Sequence, residues 1–335
     1  MTISASRPRA LPRIGLGCMS LSHAYGIPPS AEDGLALLRA ALDDGVGMLD
    51  TATLYGGGRN EELVGRAIAG RRDEVVLASK GGMALVDGVK TIDGRPETLR
   101  AQVDASLRRL GVDHIDLYYL HRWDRSVPIG ESVGALADLV DAGKIGAIGL
   151  SEVSVARLRE AQEVAPIAAV QNEYSLWSRN PELGMLAATH DTGVALVAFS
   201  PVARGFLAGS VADPDDLAPK DIRRAMPRFQ AEHWPVNAAL LPDWRALAAE
   251  ADCTPAQLAL AWLLSRGDHV VPIPGTTDIG HLRENLASVD VLVDPAILAR
   301  AGDLIGTATV SGPRYSPIGS AEVDAETFDT PLLSS

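Results

Sequence analysis

One feature constrains this chain more than any other: eight short apolar runs, each followed by an amphipathic stretch of helical period. The runs are Ile14–Gly17, Val46–Asp50, Val75–Lys80, Ile115–His121, Ala147–Ser151, Ala168–Gln171, Val194–Phe199 and Val270–Pro274. The helical stretches are Ala31–Asp43, Asn60–Ala69, Thr98–Leu110, Ser132–Asp141, Val155–Val164, Pro181–Thr189, Asp243–Ala251 with Pro255–Ser265, and Asp278–Leu286. Thr254-Pro255 supplies an N-cap with proline at the first helical position, and Gly111 and Gly143 stand where helices should stop. Strands this apolar are covered on both faces, which implies parallel pairing, and eight strand–helix units close into a ring. The expected fold is α/β, a (β/α)8 TIM barrel with long loops at its C-terminal face. A doubly wound sheet would need GxGxxG after the first strand, and Ile14-Gly15-Leu16-Gly17-Cys18-Met19 lacks the last glycine. With no linker in view, residues 1–335 read as one domain, its barrel core at about 12–294. Two segments stand outside the repeat: Val202–Pro242, rich in proline and arginine, and a loop-rich tail over 305–335. Long loops in compact domains are commonly lids or binding loops.

The chain is 47% hydrophobic and 22% charged, enough to bury a core. A net charge of −13 disfavours nucleic acid or an anionic membrane as partner. No apolar run is long enough to span a bilayer, and MTISASRPRALPR lacks the apolar centre of a signal peptide. Cys18 and Cys253 make no disulfide framework, so a cytoplasmic location is expected.

In such a barrel the strand C-termini converge on one rim, where catalytic groups gather. The runs end in Asp50, Lys80 and His121, with Ser151, Gln171 and Ser200 at later ends and Tyr55 beside the first. A free phenol, with a pKa near about 10, is a poor acid at neutral pH. An adjacent ammonium stabilises the phenolate, a carboxylate holds that ammonium, and an imidazole can orient a carbonyl. The set suits protonation of an alkoxide forming from a carbonyl. It lacks a nucleophile–base pair for acyl transfer, and neither HExxH nor CxxC offers a metal site. Side chains cannot donate hydride, so a nicotinamide cofactor is implied.

DTATLYG, ASKGG and DLYYLHRWD closely resemble motifs of the aldo-keto reductase superfamily, as do IGLSE, AVQNEYSLW, AFSPVARGFLAG and IPGTTDIGHLRENL. They occur in family order from about Pro12 to Asp294, and the bacterial and plant aldehyde or pyridoxal reductase branch is the nearest in wording. The resemblance implies that Tyr55 is the general acid, Lys80 its partner, Asp50 the partner of Lys80, and His121 the carbonyl-orienting residue. It implies that Ser151 and Gln171 hold the nicotinamide carboxamide and Phe199 stacks on the ring. Ser200, Val202, Gly205 and Leu207 would cover the pyrophosphate. Thr276, Thr277, His281, Glu284 and Asn285 would hold the adenosine end.

The chain departs from this pattern at two places. Glu152 stands where many members carry Asn, and its carboxylate cannot donate as an amide does. The lysine or arginine often found around the 2′-phosphate is missing, with Gly275, Thr277 and His281 in its place. The resemblance implies NADPH as the cofactor, and the missing cation narrows that preference and leaves NADH as the alternative. Expected pocket walls are Met19, Tyr25, Leu54, Met83 and Trp123, with a small aldehyde or ketone as partner. Two rival readings are a dehydrogenase acting on a sugar or pyridoxine-like alcohol, and a non-catalytic redox-sensing subunit that binds NADPH.

Overall fold

In the computed structural model, residues 10–328 are described. Eight parallel strands form the sheet in the order β1 (Leu16–Gly17), β2 (Met48–Asp50), β3 (Val76–Gly81), β6 (Leu117–Leu120), β7 (Ile148–Ser151), β8 (Ile167–Glu173), β9 (Ala195–Phe199) and β10 (Val270–Pro272). The sheet closes on itself: the amides of Gly15 and Gly17 donate to the carbonyls of Pro272 and Pro274 at 3.0 and 3.2 Å. At that seam a Cβ on Gly17 would lie 2.8 Å from the Ile273 carbonyl, and one on Gly275 would lie 2.8 Å from the Gly17 carbonyl. The glycines of the first strand thus serve barrel closure, which explains why they lack the dinucleotide spacing.

Each sequence run lies on its strand, trimmed by one to a few residues at either end or extended by up to two; the helices follow to within three residues, except that the stretch Pro181–Thr189 is split at Gly184 into the 3₁₀ turn Asn180–Leu183 and the helix Met185–Thr192. Inside the ring, Met48, Val76, Ala78, Leu117, Tyr119, Ala147, Ala169, Val197, Val271 and Ile273 form one apolar cluster. A larger cluster fills the space between strands and helices. Interior volume is matched residue by residue: a Cβ on Gly149 would stand 2.3 Å from the Tyr119 ring. Helix boundaries obey local chemistry. Thr254 and Gln257 form a reciprocal capping box, Gly111 ends its helix at φ 67°, and Gly143 follows its helix at φ 72°.

The structure adds elements that the periodicity did not show. Met83–Val86 and Val89–Ile92 form an antiparallel hairpin, β4–β5, projecting beyond β3. Pro295–Leu304 is a helix between the expected core and the expected tail, packed on the helices Leu241–Glu250 and Pro255–Leu264. The segment after β9 is not a bare loop. It winds through four 3₁₀ turns, from Ala203–Gly205 to Pro227–Phe229, and the short helix Trp234–Ala238. The expected loop-rich tail carries the short helix Pro317–Ala321, and its residues 329–335 lie outside the described residues, as do 1–9. Among the described residues no helix is long and apolar enough to cross a membrane.

Candidate active site

β2 and β3 place the central pair. Asp50 is the last residue of β2, and Lys80 is the penultimate residue of β3; they are 2% and 1% exposed and in direct ionic contact. The Lys80 ammonium also donates to the Thr51 carbonyl at 3.0 Å and to Tyr55 Oη at 3.2 Å. An ammonium has three N–H donors, and here all three have acceptors. Tyr55 reaches this position because the chain turns sharply after β2. Gly56, Gly57 and Gly58 take φ values of 59°, 66° and 94°, which side chains other than glycine's rarely adopt. Asn60, fully buried, ties this turn to the loop after β1 by accepting from Thr51 Oγ1 and donating to the Cys18 carbonyl and Ser22 Oγ. The His121 ring meets the Tyr55 ring edge to face at 5.9 Å. The four residues expected to act together are therefore brought together.

Burial raises the Tyr55 pKa above the usual phenol value, and Lys80 pulls against it without winning. The ammonium alone would lower it; desolvation is the larger effect, and Tyr55 is held as the neutral phenol. For Lys80, burial disfavours the charge, but Asp50 and Tyr55 more than offset that and the pKa is raised. His121 moves the other way: burial, then the Arg122 and Lys80 charges, press its pKa well below the usual imidazole value. A neutral imidazole results. Its Nδ1 is buried without a partner, which leaves Nε2 as the ring atom for a ligand. Cys18, behind Asp50, is pushed up to about 12 by burial and is an inert thiol at neutral pH.

Next along the rim, Ser151 Oγ accepts from Arg122 Nη1 at 3.1 Å, and Gln171 Nε2 donates to Asp50 Oδ2 at 2.8 Å. Each bond decides what the side chain has left to offer. The Ser151 hydroxyl keeps its proton for another acceptor, and the Gln171 amide keeps its oxygen for another donor. Together they present one donor and one acceptor, the complement of a primary carboxamide. Glu152 does not take part. Its backbone is at φ 55°, and its buried carboxylate accepts from the Glu173 amide at 2.8 Å and pairs with Arg314 of the tail.

The segment beyond β9 bends sharply, with Ser200, Ala203 and Arg204 at φ 51°, 51° and 57° and Gly205 at φ 92°. Such strain is retained where surrounding contacts over-determine it. Arg204 is the centre of those contacts: it donates to Glu173 at 2.7 Å, to Tyr25 Oη at 3.0 Å and to Tyr315 Oη at 3.0 Å. The segment also touches the loop after β1 through Gly26 N to Asp221 Oδ2 at 2.7 Å and Ile222 N to the Ala24 carbonyl at 3.0 Å. It forms a strap across the rim. Phe199 is partly exposed and Val202 half-buried, whereas the Leu207 side chain is wholly in the core, leaving only its backbone to a ligand. The tail closes the rim from the other side. Arg314 and Tyr315 both reach Glu173, Asp324 accepts from Ser154 Oγ, and Glu322 pairs with Lys90 on β5.

At the far end, the helix Ile279–Ala287 is capped by Asp278, which accepts from the His281 amide at 2.8 Å. Thr277 and His281 are exposed and Thr276 half-buried, while Asn285 is buried. Glu284 turns to Thr254 Oγ1 on the next helix, so it braces the site from behind. The nearby Arg283 is engaged by Asp44 at 2.8 Å. Of the expected pocket walls, Met19, Leu54 and Met83 lie on the loops around Tyr55 and at the start of β4. Tyr25 is held by Arg204. Trp123 braces its own loop: its Nε1 donates to the Val127 carbonyl and Arg157 covers its face at 4.2 Å.

Sequence reasoning missed Arg122, Arg204, Glu173, Arg314 and Tyr315. Arg122 and Arg204 lie inside motifs that were read, beside His121 and within SPVARGFL. The tail residues carry no local signal.

The family model for the aldo/keto reductase family matches residues 13–301. The chain belongs to that family. This aldo/keto reductase is 40% identical over 328 residues to the aldo-keto reductase yakc [NADP(+)] of Schizosaccharomyces pombe, covering 96% of each chain. Among solved structures it is similar to a glycerol dehydrogenase from Gluconobacter oxydans, with TM-score 0.81 and 29% identity over 94% of this chain and 99% of that one. It is also similar to an aldo-keto reductase from Klebsiella pneumoniae in complex with NADP and acetate, with TM-score 0.69 and 28% identity over 94% and 95% of the two chains. These likenesses cover the whole barrel and its rim.

Proposed function

We propose that this reductase converts an aldehyde or ketone to the alcohol using NADPH, with Tyr55 as the proton donor. The observation that carries the reading is the saturation of Lys80. Because its third N–H is given to Tyr55 Oη, the phenol oxygen acts as an acceptor toward the lysine. The phenol's own proton must then point elsewhere, and with His121 beside the ring a carbonyl oxygen placed between the two would take it. The neutral His121 can donate one N–H to the same oxygen and hold it in place. Asp50, tied to Lys80 and Gln171, keeps the ammonium paired in a site shut off from water.

The residues on the rim fit a nicotinamide dinucleotide. Ser151 and Gln171 would take the carboxamide, Phe199 the ring face, the 200–207 strap the pyrophosphate, and Thr276, Thr277, His281 and Asn285 the adenosine end. The bound nicotinamide supplies the hydride. NADPH is favoured by the NADP(+) relative; NADH is a weaker second choice. A dehydrogenase running the other way would need Tyr55 as a base. The raised pKa leaves the neutral phenol, the form a proton donor needs, as the species present at neutral pH. Two free cysteines suit a reducing cytoplasm.

The test follows NADPH absorbance over a panel of aldehydes and ketones, with wild type and Tyr55→Phe. Wild type should turn over, and the variant should lose about 10²–10⁴-fold in kcat. Its NADPH affinity should stay within a few-fold. Equal turnover in the two proteins would remove Tyr55 from the chemistry.

A further inference from the structure

Arg122 holds the Ser151 hydroxyl in the scheme above, but one edge of its guanidinium is unaccounted for. Of the three guanidiniums gathered at the rim, Arg204 pairs with Glu173 at 2.7 Å and Arg314 pairs with Glu152. Arg122 has no carboxylate within 4.0 Å among the described residues. Its Nη1 is used, donating to the His121 carbonyl at 2.6 Å and to Ser151 Oγ at 3.1 Å. Among the described residues, the Nε–Nη2 edge has no acceptor, and Nε is buried without a partner. Arg228, a fourth guanidinium near Glu173, donates to the Trp177 and Gly312 carbonyls and to Ser178 Oγ, so cations outnumber carboxylates here on a molecule whose net charge is −13. The surplus sits next to the catalytic tyrosine and histidine.

A partly buried cation without a counter-ion is costly, and an anion supplied from outside would reduce the cost. The unused edge has the geometry that matches a carboxylate, two parallel N–H donors in one plane. A dinucleotide carries its negative charges on the pyrophosphate and ribose phosphate, which the reading above places along residues 200–207 and 276–285. The anion beside His121 must then belong to the substrate. We propose that this reductase acts on aldehydes or ketones that carry a carboxylate, and that Arg122 binds that carboxylate through its Nε–Nη2 edge while the carbonyl oxygen lies at Tyr55 and His121. The inference rests on the carbonyl-reduction reading for the second half of that sentence, but the anion site stands on its own geometry. Tyr315 and Glu322 of the tail lie close enough to Arg122 to influence its charge, so the tail borders this subsite.

The experiment compares wild type, Arg122→Met and Arg122→Lys on 3- and 4-carboxybenzaldehyde and on the methyl esters of both. In Arg122→Met the kcat/KM ratio of acid to ester should fall about 10- to 100-fold, the range expected for a lost charge-assisted hydrogen bond. The loss should appear mainly in KM, and Arg122→Lys should recover part of it. NADPH affinity, read by fluorescence, reports separately on the Arg122 bond to Ser151; a loss there falls equally on acid and ester and cancels from their ratio. An unchanged ratio would overturn the proposal. So would an equal loss on acid and ester accompanied by weakened NADPH binding, which would assign Arg122 to the cofactor. A second arm needs no turnover: calorimetric binding of benzoate to the NADP⁺ complex should be at least tenfold weaker in Arg122→Met. If wild type binds NADPH and benzoate but reduces no carbonyl, the reaction reading fails and the anion site survives. If wild type does not bind benzoate, the anion site fails.

Discussion

At the scale of single residues, the chemistry rests on which hydrogen-bond capacity each group has left after its neighbours are satisfied. Lys80 spends all three donors on Asp50, Thr51 and Tyr55, which fixes the direction in which the Tyr55 proton is offered. Two opposing effects set the acidity of that proton, and burial exceeds the ammonium's pull. The sign of a pH effect follows. Reduction needs the protonated phenol, so activity is present below the Tyr55 pKa and declines only as alkaline pH approaches it. Lys80→Met removes the ammonium whose charge and hydrogen bond lower this pKa, and the alkaline decline should move to higher pH. The rate should fall at every pH because the phenol is no longer oriented. A pH–rate profile from neutral to strongly alkaline conditions checks both points; an unmoved alkaline limb would make Lys80 a purely structural residue. His121, pressed below its usual pKa, should give no inflection in the same profile around neutral pH.

At the scale of elements, the rim is closed by two chain segments that meet on Glu173 and its neighbours. The strap after β9 brings Arg204, and the tail brings Arg314 and Tyr315. Glu152 is explained here: where an amide could have donated to a cofactor, a carboxylate anchors the tail instead. Removing Arg314 would leave Glu152, 1% exposed, without its cation and so release the tail rather than tolerate the buried charge. Arg314→Ala should therefore make the segment near Gly312–Ala321 a site of limited proteolysis and raise the KM for carbonyl substrates several-fold. The barrel itself should keep its secondary structure by circular dichroism. Equal protease resistance in wild type and variant would show that the tail is held by its other contacts, such as Asp324 on Ser154 and Glu322 on Lys90.

For the whole molecule, closure of the barrel depends on two glycines facing each other across the β1–β10 seam. A methyl group on Gly17 would press within 2.8 Å of the Ile273 carbonyl, a backbone atom that cannot move without parting the strands. Gly17→Ala should cost about 1–3 kcal/mol in denaturant unfolding, the usual size of an overpacking penalty. A variant as stable as wild type would mean the seam has slack. What the chain's own order determined is the barrel and the identities of its central tetrad. Strand and helix periods are local, and a strand's C-terminal residue marks itself, so Asp50, Lys80 and His121 were legible one run at a time. The hairpin β4–β5, which is largely exposed, and the helix Pro295–Leu304, which is outside the strand–helix repeat, were not. Only the tertiary structure decided the rest. It set the balance that keeps Tyr55 protonated, the engagement of Glu152 by Arg314 from 162 positions away, and the isolation of Arg122. Each of these depends on desolvation and on partners brought together across the fold, and neither quantity is carried by a residue's neighbours in sequence.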